Sequence, residues 1–173
     1  MMTYLDYFKE MCTIPHGSGN TKMISDWLVK FAVDHNLEYH QDKDNNVIII
    51  REASKGLETA EPIIIQGHMD MVAVHDEDRE IDMAKEGLIL EVDGDFLKAK
   101  GTSLGGDDGI AVAYGLALLA DTEHEFPRLE LLVTVDEEIG LLGAATVDTS
   151  VLKGHTMINI DSDVEGTFLV SCA

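Results

Sequence analysis

The chain has 173 residues, of which 12 are basic and 33 acidic, for a formal net charge of −21. Apolar residues make up 45% and charged residues 26%, which excludes wholesale disorder and predicts a single domain, residues 1–173, large enough for a real core. The charge excludes nucleic acid and anionic membrane surfaces as partners, because polyanions are repelled and no Lys/Arg cluster offsets the field.

The first ten residues lack a basic stretch followed by an apolar one, so no signal peptide is predicted. A helix is predicted over 3–12. Asn20 reads as the N-cap of a second, in which Ile24, Trp27, Leu28, Phe31 and Ala32 share one apolar face. Residues 38–41 and 47–51 read as strands joined through Asp44-Asn45-Asn46, and Val47-Ile48-Ile49-Ile50 is β-branched throughout, as in a buried strand. Residues 62–66 are a second such run, leading into Gly67-His68-Met69-Asp70. An acidic surface stretch follows from His75 to Glu86. Residues 88–92 and 96–100 flank Asp93-Gly94-Asp95, a hairpin signal. The glycine-rich stretch 101–109 opens a helix that runs to about Ala120. Residues 129–135 form a third apolar strand ending in Asp136-Glu137-Glu138. A short helix is expected over 141–147, a strand over 157–160 before Asp161, and a last strand over 167–172. This alternation predicts an α/β fold with a mixed, mostly parallel sheet covered by helices on both faces. No apolar run is long enough to span a bilayer. Cys12 and Cys172 sit near opposite ends and give neither a disulfide framework nor a CxxC pair; they read as reduced, buried thiols of a cytoplasmic protein.

Four sets of acidic or imidazole groups follow strands or open a helix: His68 with Asp70, Asp107 with Asp108, Glu137 with Glu138, and Asp161. In open α/β sheets the carboxyl ends of the strands form the crevice where ligands bind. Carboxylates converging there repel one another unless a cation sits among them. One histidine with several carboxylates is the donor set of a hydrolytic zinc or manganese site. In the extended tripeptide His68-Met69-Asp70 the outer side chains share a side, so Asp70 can accept the second ring N–H of a metal-ligating His68. Glu137 and Glu138 point in different directions, so one can ligate while the other serves as general base toward water. Two other readings stand beside this one. Gly101-Thr102-Ser103-Leu104-Gly105 matches the GxSxG nucleophile elbow, with Ser103 as nucleophile and His155 downstream, although further glycines and acids intervene before the helix. Alternatively, the chain is a non-catalytic acidic module that binds divalent cations or a basic partner through its surface charge.

Taken together, these segments resemble the co-catalytic zinc peptidases of the aminoacylase and carboxypeptidase group, in particular the aminoacyl-histidine (Xaa-His) dipeptidase branch. The resemblance is carried by Gly67-His68-Met69-Asp70-Met71-Val72, by Gly101 to Ile110 with its Asp107-Asp108 pair, by Asp136-Glu137-Glu138-Ile139-Gly140 with Gly143-Ala144, and by Ile158-Asn159-Ile160-Asp161-Ser162-Asp163 with Glu165-Gly166. They stand in the family's order and cover nearly the whole chain. The resemblance implies hydrolysis of dipeptides, Xaa-His among them, with two divalent metals, zinc first and manganese or cobalt as alternatives. His68 and Asp161 would hold one metal, Glu138 the second, and Asp107 would bridge them. Asp70 would orient and polarise His68, and Glu137 would be general base and then general acid. The resemblance also implies a cis peptide between Asp107 and Asp108. The family further uses a distal histidine ligand and a lid domain that helps it dimerise. None of His16, His35, His40, His75, His124 or His155 lies in a matching segment, so the chain reads as the N-terminal part of a catalytic domain, with little activity alone.

Overall fold

The three β-branched or leucine-rich runs pair with one another at the centre of the fold. The structure, a computed structural model, describes residues 2–162, 164 and 166–170. In chain order its elements are α1 (Tyr4–Cys12), α2 (Lys22–Asp34), β1 (Glu38–Gln41), β2 (Val47–Arg51), β3 (Ile63–His68), β4 (Leu90–Asp93), β5 (Phe96–Ala99), α3 (Gly106–Ala120), β6 (Leu129–Thr134) and β7 (Thr156–Asn159). Five strands make one sheet in the order β1-β2-β6-β3-β7, while β4 and β5 form a separate hairpin. The β1–β2 and β2–β6 pairings are antiparallel; β6–β3 and β3–β7 are parallel. The sheet is therefore mixed, as expected, with its parallel half around β3.

Period-two alternation divides the sheet into two faces. Val47, Ile49, Ile65, Leu129, Leu131 and Val133 bury one face against all three helices, through Phe8, Met11, Ile24, Leu28, Val112 and Leu116 among others. Each such aliphatic side chain contributes about 1.5–3 kcal/mol by leaving water. Ile48, Ile50, Ile64 and Leu132 line the other face under Val147, Val151 and Leu152. Helices were expected on both faces. Helix covers one, and the turns around 141–152 cover the other.

Three local expectations change. The cap of α2 is Thr21 rather than Asn20, whose Nδ2 instead donates to the Ala84 carbonyl at 3.1 Å. Residues 141–147 form turns rather than a helix, because Leu141 adopts a left-handed φ of 58° that interrupts helical dihedrals at their start. Residues 167–170 have no strand partner among the described residues, and Phe168, Leu169 and Val170 are exposed. The remainder of that expected strand, with Cys172, lies outside the described residues. Cys12 is buried and free, and burial pushes its thiol up to about 12. Among the described residues, no helix is long and apolar enough to cross a membrane.

Candidate metal centre

Because β6, β3 and β7 run parallel and side by side, their carboxyl ends lie along one edge of the sheet. β3 ends on His68 itself. β6 leads into Asp136-Glu137-Glu138, and β7 leads through Ile160 to Asp161. α3 opens close by with Asp107 and Asp108. The outcome is two overlapping donor groups that share one imidazole: His68 with Asp107 and Asp161, and His68 with Glu137 and Glu138. Within each group the donor atoms lie within 4.8 Å of one another.

His68 is the buried hub of this cluster, and Asp107 and Asp161 are its exposed members. Its Nε2 faces Asp107 Oδ1 at 3.3 Å and Glu137 Oε2 at 3.8 Å. Its Nδ1 lies 2.9 Å from the Asp70 main-chain carbonyl and 3.5 Å from Asp70 Oδ1. That pairing places the Nδ1 proton toward Asp70 and turns Nε2 toward the carboxylates, the arrangement a metal-ligating histidine needs. Burial works against an imidazolium here. The Asp70 hydrogen bond and the Asp108 and Asp70 charges outweigh it, and the pKa rises to about 9.

Asp70 is almost fully buried and connects three segments. Its Oδ2 accepts from Ser18 Oγ at 2.8 Å and from the Glu138 N–H at 3.4 Å, and its Oδ1 accepts from the Glu137 N–H at 3.1 Å. Burial alone would raise its pKa; hydrogen bonds from His68, Ser18 and the Glu137 amide outweigh that and lower it. The Glu137–Glu138 corner is fixed from the other side as well. Asp136 turns the chain with a left-handed φ of 55°, which aspartate tolerates, and its Oδ1 accepts the Gly19 N–H at 2.7 Å. The buried Asn46 accepts the Val135 N–H at 3.0 Å and donates to the Gly143 carbonyl at 3.3 Å.

The approach to Asp107 uses glycine where a side chain would not fit. Gly105 holds a left-handed φ of 70° at the cap of α3, and a Cβ there would meet Met71 Sδ at 2.9 Å. The Asp107–Asp108 peptide is cis, as the resemblance implied, and both residues are non-helical within the α3 range. This turn exposes Asp107 to the cluster and sends Asp108 inward, where its Oδ2 accepts the His68 N–H at 3.2 Å. A Cβ on Gly67 would stand 2.6 Å from that same oxygen, so the close packing of β3 on Asp108 requires a glycine. Burial, aided by the Asp161 and Asp107 charges, raises Asp108 to about 7. Glu138 is raised too, by burial and by the charges of Asp107, Glu137 and Asp70.

This donor set fits a divalent cation. It offers one imidazole nitrogen, whose partner nitrogen is already hydrogen-bonded, and four crowded carboxylates, among which Glu138 is held above the usual carboxylate range by burial and by its neighbours' charges. A cation there would relieve that repulsion and compete with the proton on Nε2. The sequence motifs brought His68, Asp107, Glu137, Glu138 and Asp161 to one place, with Asp70 behind them. Ser103, by contrast, donates to the Val72 carbonyl at 2.6 Å and accepts from the Val74 N–H at 3.2 Å, and no histidine among the described residues hydrogen-bonds to it. Its GxSxG match is part of the turn before Asp107. Ser18 and Asn46 escaped the sequence reading. Gly17-Ser18-Gly19-Asn20 signals only a loop, and Asn46 only a hairpin turn.

No family model matches the chain. It is 35% identical to the cytosol non-specific dipeptidase of Escherichia coli (strain K12) over 168 residues, covering 97% of this chain and 35% of that protein. The aminoacylhistidine dipeptidase of Vibrio alginolyticus superposes with a TM-score of 0.90 at 35% identity, over 94% of this chain and 33% of that one. The aminopeptidase PepT of Bacillus cereus shares the fold, with a TM-score of 0.74 at 21% identity over 93% of this chain and 43% of that one. The chain thus spans about a third of the length of the two dipeptidases it matches.

Proposed function

We propose that the strand-end cluster is the metal centre of a dipeptide hydrolase, with Xaa-His dipeptides among its substrates, as the similarity of nearly the whole chain to the aminoacylhistidine and cytosol non-specific dipeptidases supports. The observation that carries this reading is the gathering of four carboxylates from three separate segments around the single buried imidazole of His68.

In this reading His68 and Asp161 would hold one divalent metal, Glu138 would hold a second, and Asp107 would serve both. Zinc suits the mixed nitrogen and oxygen donors, with manganese or cobalt as alternatives. When bound, the metal pair supplies the Lewis acidity that polarises a scissile carbonyl and makes water nucleophilic at neutral pH. The protein's own groups do the rest. Glu137, partly exposed at the rim and 3.8 Å from His68 Nε2, takes a proton from the attacking water and passes it to the leaving amine. Asp70 keeps the His68 ring in the orientation that presents Nε2, and its carboxylate caps the amides of the two glutamates. Residues 1–173 act as one unit, the metal-binding part of a cytoplasmic catalytic domain. The resemblance implies that a lid domain and a distal histidine would finish such a site, and that the lid would pair two subunits.

Isothermal titration with zinc, on the wild-type chain and on Asp107→Asn, tests the centre. Binding that is saturable at a small number of sites, and weakened at least ten-fold in the variant, supports it. Weak binding by many equivalent sites, unchanged in the variant, would overturn it in favour of diffuse surface charge. Release of histidine from an Xaa-His dipeptide by the zinc-loaded chain, measured beside Glu137→Gln, tests the chemistry. The expected rate is very low, since positioning by the lid supplies much of the advantage of such a site.

A further inference from the structure

We infer that Ser18 is a positioning residue of the metal centre, acting through Asp70 on His68 and on the Glu137–Glu138 corner; this rests on the metal-centre reading above. Aspartate χ2 is a broad, soft torsion, so the direction of a buried carboxylate is set by the bonds it accepts. Asp70 has two demanding neighbours on Oδ1, the Glu137 amide at 3.1 Å and His68 Nδ1 at 3.5 Å. On Oδ2 the Ser18 hydroxyl, at 2.8 Å, is the short bond, and the Glu138 amide, at 3.4 Å, is the long one. Ser18 therefore fixes one end of the carboxylate, and the opposite end then meets the imidazole and the amide preceding the proposed general base.

The hydroxyl is itself held in place. The Ser18 N–H donates to the Met71 carbonyl at 3.2 Å, and the Met71 N–H donates to the His16 carbonyl at 3.2 Å. Gly17 and Met71 also form a parallel bridge. The next residue, Gly19, donates its N–H to Asp136. The 16–19 turn thus grips the segment after β3 with one set of bonds and the corner after β6 with another. It sets the spacing between the two strand ends that carry His68 and the glutamates. Without the hydroxyl, Oδ2 retains only the 3.4 Å amide contact, and the Glu137 amide at 3.1 Å is left as the one short bond that resists rotation of the carboxylate.

The test compares wild-type, Ser18→Ala, Ser18→Gly, Ser18→Thr and, as a structural control, Ser25→Ala, whose hydroxyl donates to the Asn45 carbonyl at 2.8 Å away from the centre. Zinc affinity is measured by calorimetry, and amide hydrogen exchange at Glu137 and Glu138 by NMR on chelated protein. Both truncations are expected to weaken zinc by about two- to ten-fold, less than the roughly ten-fold or more for losing Asp70, the direct partner of His68, and to speed exchange at those two amides selectively. Ser18→Thr restores both, while Ser25→Ala lowers the melting temperature and leaves both unchanged. Wild-type zinc affinity and unaltered exchange in Ser18→Ala and Ser18→Gly would overturn the inference. If the wild-type chain binds no zinc, the metal-centre reading fails on its own, and the exchange at Glu137 and Glu138 still decides the role of Ser18 toward Asp70.

Discussion

Replacing Glu130 by glutamine tests whether one buried carboxylate holds together the strands that carry the centre. Glu130 has no exposed surface. Its Oε1 accepts from Arg128 Nε at 2.6 Å, and its two oxygens accept from the Lys153 and Gly154 amides at 3.0 Å. Lys153 and Gly154 lie just before β7, so this carboxylate ties β6 to the approach of the strand that leads to Asp161. Burial opposes the Glu130 charge, but Arg128 and the two amides outweigh it and lower the pKa. Glutamine keeps the shape and one acceptor. Its amide nitrogen faces other donors, and the buried Arg128 is left with Glu52 as its remaining carboxylate. Removing one partner from a buried ion pair costs about 3–5 kcal/mol. For a chain of this size, that is a fall in melting temperature of about 6–20 °C. Urea unfolding at neutral pH measures the loss directly. A lowered folded pKa contributes stability that is present above the ordinary glutamate value of 4.5 and is lost as pH falls through the folded value. The gap between wild-type and Glu130→Gln should therefore narrow below that pH. A gap under about 1 kcal/mol at neutral pH, or one that stays constant down to about pH 3, would refute the reasoning.

Without metal, the melting temperature should fall as pH rises from about 5 to 9. Folded His68 stays protonated up to about 9 against an ordinary 6.5, and folded Asp108 up to about 7 against 3.8, so both favour the folded state at lower pH and lose that contribution as they deprotonate. Zinc should offset the fall by binding only the folded form; melts that rise steadily over this range in chelator, with no zinc effect, contradict it. Gly67→Ala should cost about 1–3 kcal/mol, because its methyl group overlaps Asp108 Oδ2 and crowds Ala111, and a urea midpoint equal to wild-type would show that Asp108 moves aside freely. A fluorophosphonate should leave Ser103 unmodified, since its hydroxyl is spent on the Val72 carbonyl; a labelled Ser103 peptide in mass spectrometry would reinstate the serine-hydrolase reading.

What could be read from the sequence was the part governed by local pattern. β-Branched runs announced β2 and β3, and the polar residues at or just after the ends of β3, β6 and β7 announced where chemistry could sit, because the end of an apolar run has few other reasons to be so acidic. What could not be read depends on contacts remote along the chain. Ser18 reaches Asp70 across 52 positions and Asn46 reaches Val135 across 89, and neither partner leaves a trace in the residues next to it. Glu130 was hidden differently. It occupies an apolar run that reads correctly as a strand, and only the neighbouring Arg128 and the distant 153–154 amides explain how its charge tolerates complete burial. The helix expected over 141–147 failed because one left-handed residue, Leu141, overrides the apolar spacing around it.

β3 is hydrogen-bonded on both flanks in the interior of the sheet, whereas β7, among the described residues, is its edge, paired on one flank and exposed at all four residues. The proposed ligands of the centre would therefore differ in tenure. His68 stays in place as long as the domain is folded, but Asp161 is delivered by a strand of the kind that peels away at a fraction of the cost of global unfolding. Each time β7 peels, the group of His68, Asp107 and Asp161 loses a donor. On the proposed reading, the apparent metal affinity would be the intrinsic one scaled by the fraction of time that edge is zipped. Any polypeptide that caps or extends β7 should tighten metal binding without touching a single ligand.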